Sequence, residues 1–338
     1  MESAGDKGER TVMLCIYHES TDPYFNVATD EYILKHLNED CFMLWRNDNA
    51  IIVGHYQNTL AEINYDYVKE HNIAVVRRLS GGGAVYHDLG NLNFSFTQAG
   101  TDTNLADFRK FTRPIIDVIR QLGADARFEG KNDIMIDGQK IAGNAAHIYR
   151  SKILHHGCLL FASEIRSVTE ALRINPVKYV DKAVKSVPKR ITNISDHLPS
   201  PISIEEFTRK IMKYVLETYP GARLYEFTDE DKEKIKKLRD EKYATYEWNY
   251  GKSPKYNFKK AIRTAGGLLE MNLDVHDGII KGAKIYGDFF SELGVEDLEH
   301  LLTGVRHAED ELRSVLNSIN LERYLHAVTA DNVIQAMF

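Results

Sequence analysis

Residues 77–88 read Arg77-Arg78-Leu79-Ser80-Gly81-Gly82-Gly83-Ala84-Val85-Tyr86-His87-Asp88, and the rest of the chain is best read outward from them. An apolar, β-branched run, Ile73 to Val76, leads in, and a second run, Leu92 to Phe96, alternates apolar and polar residues. This pattern predicts strand, glycine turn, strand, a turn at Asp88-Leu89-Gly90, and a further strand. Three successive glycines let the backbone take positive φ and lie close to a ligand. Free N–H groups beside Arg77 and Arg78 suit an anionic group such as phosphate. The same composition also fits an ordinary glycine-rich hairpin with two exposed arginines. It is not a P-loop, because no Gly-Lys-Ser/Thr follows, and the dinucleotide-binding spacing is absent.

A chain of 338 residues suits roughly two domains. Its 43% hydrophobic and 27% charged residues are ordinary for a globular protein. A net charge of −6 argues against general nucleic-acid binding, which favours a basic domain. Cys15, Cys41 and Cys158 have no metal-ligand spacing and read as reduced thiols of a cytoplasmic protein. No apolar run of about 18 residues is present, so no transmembrane helix and no membrane role are expected. Met1 to Arg10 is polar and lacks the apolar core of a signal peptide.

Upstream, Val12–Tyr17 reads as a strand, and Asp22-Pro23 as an N-cap with a first-turn proline opening a helix. Cys41–Arg46 and Ala50–Gly54 read as a hairpin around Asn47-Asp48-Asn49, followed by a short helix over Ala61–Glu70. Downstream, a helix over Asn104–Leu122 carries Pro114, which should bend or break it. Ile204–Tyr219 and Asp229–Tyr243 are helical, and Trp248 to Pro254 interrupts the pattern with aromatics, Gly and Pro. We therefore expect a larger domain over 1–247, a linker at 248–255 and a smaller domain over 256–338. In the latter, Leu269, Met271, Leu273 and Val275 alternate with polar residues, and helices follow. Hairpins beside separate helices imply an α+β fold.

A second constellation runs from Lys131 to Ala146. Asp137-Gly138 turns a hairpin that carries Lys140 on its return strand, with Gly143 permitting close backbone approach. A lysine on a rigid strand can neutralise charge developing on a phosphoryl or acyl oxygen, although an exposed strand lysine reads the same way. Asn132 and Asp133 could meet a nucleotide's polar edge or a metal. His155 and His156, adjacent on a strand, point to opposite faces and make a poor metal pair. The segment 175–193 is cationic, and is either a solvated charge run or a basic loop that covers an anionic ligand.

Three segments together resemble one family. Arg77 to Asp88 resembles the signature of the lipoate–protein ligase A family, in its bacterial two-domain form. Lys131-Asn132-Asp133 with Lys140-Ile141-Ala142-Gly143-Asn144-Ala145 resembles its second motif, and His155-His156-Gly157-Cys158-Leu159-Leu160 its third. Order and spacing match, and the likeness covers nearly the whole chain. It implies a biotin/lipoyl ligase-like catalytic domain with mixed and antiparallel sheets, plus a small α+β accessory domain. It implies two reactions: lipoate and ATP, with Mg²⁺, give lipoyl-AMP and pyrophosphate, and an acceptor lysine then displaces AMP. The implied acceptors are dehydrogenase E2 lipoyl domains and the glycine-cleavage H protein.

By the same resemblance, Arg78 and the backbone of Gly83, Ala84, Val85 and Tyr86 would hold the adenylate, with Asn132 and Asp133 near the nucleotide and Asp133 near the metal. Lys140 would contact both phosphate and acyl oxygen as the catalytic residue. Trp45, Ser80, His87, Gly143 and Lys140 would line the lipoyl site, and a loop through Lys185, Lys189 and Arg190 would close over the intermediate. Two positions depart from the family pattern: Ala142 where Ser is frequent, and Cys158 where Thr is common. Cys158 invites an alternative, an ATP-independent lipoyl or octanoyl transferase with a cysteine nucleophile. Its apolar strand favours an inert thiol instead.

Overall fold

The computed structural model describes residues 12–57, 59–99, 108–172, 191–249, 258–276, 279–307 and 309–337. Strands in chain order are β1 (Met13–Tyr17), β2 (Asp40–Trp45), β3 (Ala50–Val53), β4 (Ala74–Arg77), β5 (Val85–His87), β6 (Asn91–Ala99), β7 (Arg127–Glu129), β8 (Asp133–Ile136), β9 (Gln139–Tyr149), β10 (Lys152–Leu160) and β11 (Arg223–Leu224). A further three are β12 (Phe258–Thr264), β13 (Gly267–His276) and β14 (Ile279–Gly287).

Among the described residues a mixed sheet runs β11-β1-β2-β6-β10-β9-β8-β7, a small sheet runs β4-β3-β5, and β12-β13-β14 form a third. The helix Pro23–His36 is capped by Asp22, whose carboxylate accepts from the Tyr24 N–H at 2.9 Å, with Pro23 at its first position. This helix packs between the large and small sheets, and its Val27, Ala28 and Ile33 share a core with Met43, Trp45, Ile52 and Val76. The β12–β14 meander and the helices Glu296–Leu302, Glu309–Asn317 and Ala330–Met337 enclose a separate core. The architecture is α+β.

Four local expectations need correction. β2 and β3 do not pair: β2 joins β1 and β6, whereas β3 joins β4 and β5. The Asn47–Asn49 connection is a corner between sheets, held by the Asn47 side chain against Asn26 and His87. Nor is the glycine segment a hairpin. β4 runs parallel to one edge of β3 and β5 antiparallel to the other, so the loop 78–84 crosses over the end of β3. Pro114 does not break its helix, which runs from Phe108 to Gln121 and buries Phe111, Ile115 and Ile119. The Ala61–Glu70 helix is two short pieces, Thr59–Glu62 and Tyr65–Glu70. The hairpin at Asp137-Gly138 forms as expected, both residues having positive φ (49° and 73°), as a tight two-residue turn requires.

The glycine loop is anchored by Arg77. Its guanidinium is fully buried and meets the carbonyls of Gly54, His55, Gln57, Trp248 and Asn249 and the Thr59 hydroxyl. Asn249 Oδ1 accepts the Arg77 N–H at 2.9 Å, and the Trp248 indole donates to the Arg77 carbonyl at 2.8 Å. The aromatic break in the sequence at 248–249 therefore packs beneath the start of the loop.

Candidate active site

The site grows from one register line of the large sheet. Asp133 of β8 faces Gly143 of β9, Gly143 faces Cys158 of β10, Cys158 faces Asn93 of β6, and Asn93 faces Trp45 of β2. Residues directly opposite across strands project to the same face. These five positions therefore form one transverse row, and the four from Gly143 to Trp45 pave the floor of a cavity of about 720 Å³ including its open mouth. Three strand spacings separate Gly143 from Trp45, roughly 14 Å. Val27, Ile52 and Val85 wall the Trp45 end, while Arg78, Gly82, Gly83, Asn132 and Lys140 edge the rim.

Lys140 lies at the β8–β9 end. Its Nζ reaches Asp133 Oδ1 at 2.6 Å, and the chain folds across Gly143, where an added Cβ would stand only 3.0 Å from Nζ. Asn132 and Asn144 clasp the strands there, each side chain donating to the other's carbonyl at 2.7 and 3.0 Å.

The glycine loop forms the opposite wall. Four of the five N–H groups of Arg78 are engaged, by the carbonyls of Ile52, Gly81 and Gly83 and by Ser80 Oγ. Gly82 has φ +92°, and a Cβ there would stand 2.9 Å from the Arg78 guanidinium. β5 lies at the edge of its sheet, so the outer backbone groups of Val85 and Tyr86 are not used by β3. The Tyr86 side chain turns away into a core, its hydroxyl donating to Asn49 at 3.0 Å, so Tyr86 has only backbone to offer the cavity.

A polar chain stiffens the wall between loop and floor. Ser80 Oγ lies 2.6 Å from His156 Nε2, and His156 Nδ1 lies 2.8 Å from Asp30. Asp30 also accepts from Ser95 at 2.7 Å, and Ser95 accepts the Trp45 indole N–H at 3.2 Å. The two histidines indeed part company: His156 lines the cavity, while His155 is buried among Phe94, Phe108 and Phe111 with Asn144 as its hydrogen-bond partner. Burial lowers the pKa of His155 and keeps it neutral.

Cys158 is held as a thiol. Burial, with Asp88 as the next cause, pushes it up to about 12, and the Asn91 side chain sits 3.2 Å from its sulfur. A cysteine nucleophile needs the opposite environment, so the transferase alternative finds no support in the geometry.

Of the residues expected at the site, Trp45, Arg78, Gly83, Ala84, Val85, His87, Asn132, Lys140 and Gly143 line this one cavity. Asp133 and Ser80 stand just behind the lining, bonded to Lys140 and to His156. Arg77 is a correction: it is a structural anchor of the loop and offers no group to an anion. Lys185, Lys189 and Arg190 lie outside the described residues. Sequence reasoning missed Asp30, Asn93 and Asn144. The available signal was a carboxylate pair, Asp30-Glu31, inside a buried helix. Asp133 Oδ1 is paired with Lys140, and no group of three or more His, Cys, Asp or Glu is gathered around it among the described residues.

Residues 22–216 match the lipoyl protein ligase A/B catalytic domain, and residues 253–337 match the bacterial lipoate protein ligase C-terminus. The chain is 43% identical to lipoate–protein ligase 1 of Staphylococcus aureus over 94% of its own length and 97% of the relative's. Among solved structures, a lipoate–protein ligase A bound with ATP superposes with a TM-score of 0.62 at 27% identity, covering 72% of this chain and 99% of that one. The bipartite ligase of Thermoplasma acidophilum, solved in a study that includes its E2 lipoyl domain, superposes with a TM-score of 0.63 at 29% identity, covering 74% of this chain and 100% of that one. On this evidence the chain belongs to the lipoate–protein ligase family.

Proposed function

We propose that the protein activates lipoate with ATP and transfers the lipoyl group to a lysine of an acceptor protein. The observation that carries this reading is the transverse row: a largely apolar trough, floored by Gly143, Cys158, Asn93 and Trp45, with a lysine at one end and a glycine loop alongside. An eight-carbon acyl chain fits along the floor, with its carboxylate beside Lys140. In the first step a lipoate carboxylate oxygen attacks the α-phosphate of ATP and pyrophosphate leaves. In the second, an acceptor ε-amine attacks the acyl carbonyl and AMP leaves with the bonding pair.

Lys140 is the catalytic residue, since it can neutralise the phosphoryl oxygen in the first step and the acyl oxygen in the second. The backbone from Gly83 to Tyr86 is the adenylate cradle. Arg78 shapes that cradle through its bonds to Gly81 and Gly83, and its remaining N–H is available to phosphate. Asn132 fixes the neighbouring edge. Trp45, Ser80, His87 and Gly143 serve the lipoyl side, Ser80 through His156. The mixed anhydride hydrolyses readily, and an enclosed trough protects it from water. Mg²⁺ would accompany the nucleotide and neutralise phosphate charge, with Asp133, beside Lys140, as the carboxylate to meet it.

The acceptors are E2 lipoyl domains and the glycine-cleavage H protein, and the reaction takes place in the cytoplasm. We place the division between catalytic and accessory parts after Asn249, because Trp248 and Asn249 bond to Arg77. The test is lipoylation of a panel of purified acceptors, read by intact mass with and without ATP. ATP-dependent modification of at least one acceptor is expected. Modification independent of ATP would refute the reading.

A further inference from the structure

The turn after β3, Gly54 to Gln57, lies against the glycine loop. The His55 N–H donates to the Ser80 carbonyl at 2.8 Å, and a Cβ on Gly54 would collide with the Gly82 carbonyl. Carbonyls of the same turn hold the Arg77 guanidinium. Tyr56, inside this turn, sends its ring elsewhere. The ring belongs to the core of the accessory module, stacked on Phe289 with centroids 5.1 Å apart and 18° between the planes. Its hydroxyl is hydrogen-bonded to Ser291, and its carbonyl accepts from the Gly287 N–H at 2.6 Å. Tyr56 is thus a residue of the catalytic part buried in the accessory core.

The accessory module also meets the loop directly. A Cβ on Gly81 would collide with the Phe289 carbonyl. A Cβ on Gly83 would meet nothing within 4 Å among the described residues, and Gly82 and Gly83 line the cavity. The three signature glycines therefore have different tasks. Gly81 seats the Phe289 backbone, Gly82 takes positive φ beside Arg78, and Gly83 leaves its open side to a ligand. The next residue, Phe290, packs on Phe108 at 5.5 Å against the core of the large sheet. Residues 80–82 are clasped between the Tyr56 turn and the accessory backbone. Consecutive glycines lose more freedom on ordering than any other residues, so such a loop keeps one shape only where contacts hold it.

We propose that Tyr56 is a positioning residue for the nucleotide: its stack on Phe289, with the Phe289 backbone seated on Gly81, lets the accessory module hold the glycine loop in the shape that receives the adenylate. This inference rests on the adenylate-cradle reading above. Tyr56 acts through the His55 and Gln57 backbone and touches no reacting atom. The floor of the trough is held by strand pairing instead, so release of the clasp weakens ATP binding and spares lipoate.

The test uses the full-length protein. Lipoate affinity is measured by calorimetric titration, and the ATP dependence of single-turnover lipoyl-AMP formation gives the half-saturating ATP concentration and the maximal rate. In Tyr56→Ala the half-saturating concentration is expected to rise about tenfold, while the maximal rate and the lipoate Kd stay within about twofold, the pattern of lost uniform binding. Tyr56→Phe keeps the stack and should restore ATP binding to within about threefold of wild type. Gly81→Ala leaves both cores intact, serves should Tyr56→Ala fail to fold, and should raise the ATP requirement as well. Wild-type ATP dependence in both Tyr56→Ala and Gly81→Ala would overturn the proposal. A lipoate Kd that weakens in step with ATP would also overturn it and leave Tyr56 a purely structural residue, and so would a Tyr56→Phe protein as impaired as Tyr56→Ala. If the wild-type protein forms no lipoyl-AMP from lipoate and ATP, the functional reading itself fails and the proposal falls with it.

Discussion

Arg77→Met separates the two arginines of the signature. Methionine keeps much of the apolar stem and removes all five N–H groups. Five carbonyls, of Gly54, His55, Gln57, Trp248 and Asn249, then lose a charged donor inside the protein, and Thr59 loses its partner. Burial lowers the Arg77 pKa to about 10, so the group is still a cation at pH 7. Hydrogen bonds to a charged group contribute about 1.5–3 kcal/mol each. Against this, the variant no longer buries an ion, which returns several kcal/mol. The net expectation is a loss of about 3–5 kcal/mol, in line with the removal of one partner from a buried ionic site. For the catalytic part this corresponds to a Tm lower by roughly 6–20 °C. Differential scanning calorimetry reads the shift, and single-turnover formation of lipoyl-AMP below the transition should survive it. A variant that melts with the wild type yet forms no lipoyl-AMP would refute the reasoning and make Arg77 a ligand contact.

Other outcomes follow from the same contacts. Glu31 is buried against Lys35, Lys242 and the Tyr243 hydroxyl; burial alone would raise its pKa, but Lys242 and these hydrogen bonds bring it to about 2. A depressed carboxylate contributes stability that is full above the unfolded value near 4.5 and disappears as the pH falls towards 2. Glu31→Gln should therefore cost about 2–4 kcal/mol at pH 7 and flatten the decline in urea midpoint between pH 4.5 and 2; an unchanged acid limb would contradict this. Cys158→Ala should keep lipoyl transfer within about threefold, a barrier change below roughly 0.7 kcal/mol. Complete loss of transfer would restore the thiol-nucleophile alternative. Gly143→Ala would bring a Cβ to 3.0 Å from Lys140 Nζ and push the end of the lysine aside by a few tenths of an ångström, so kcat should fall by about threefold with the fold intact. A variant with wild-type kcat would show that the lysine's resting position is immaterial.

Much of the site was legible because its parts are local. The glycine loop, the Asp137-Gly138 turn and the alternation of β6 and β13 are written in short windows, where backbone freedom and period-2 patterning act directly. What escaped the reading was pairing. Nothing within residues 41–54 says that β2 and β3 leave for different sheets. That outcome depends on Asn47 bonding to Asn26 and His87, 21 and 40 residues away. Arg77 looked like a twin of Arg78 because burial of the first is decided by Trp248 and Asn249, more than 170 residues later. Asp30 and Asn93 join the site through register. A polar residue inside a helix or strand reads as ordinary until the row across the sheet is known.

The central claim is that Lys140, at the end of the trough, carries the chemistry. Its most direct test is single-turnover formation of lipoyl-AMP from lipoate and ATP, quenched and quantified for the wild-type protein and Lys140→Ala. The account predicts a rate lower by about 10²–10³ in the variant, the scale of losing one charge-stabilising donor. Near-normal adenylation by Lys140→Ala would contradict it.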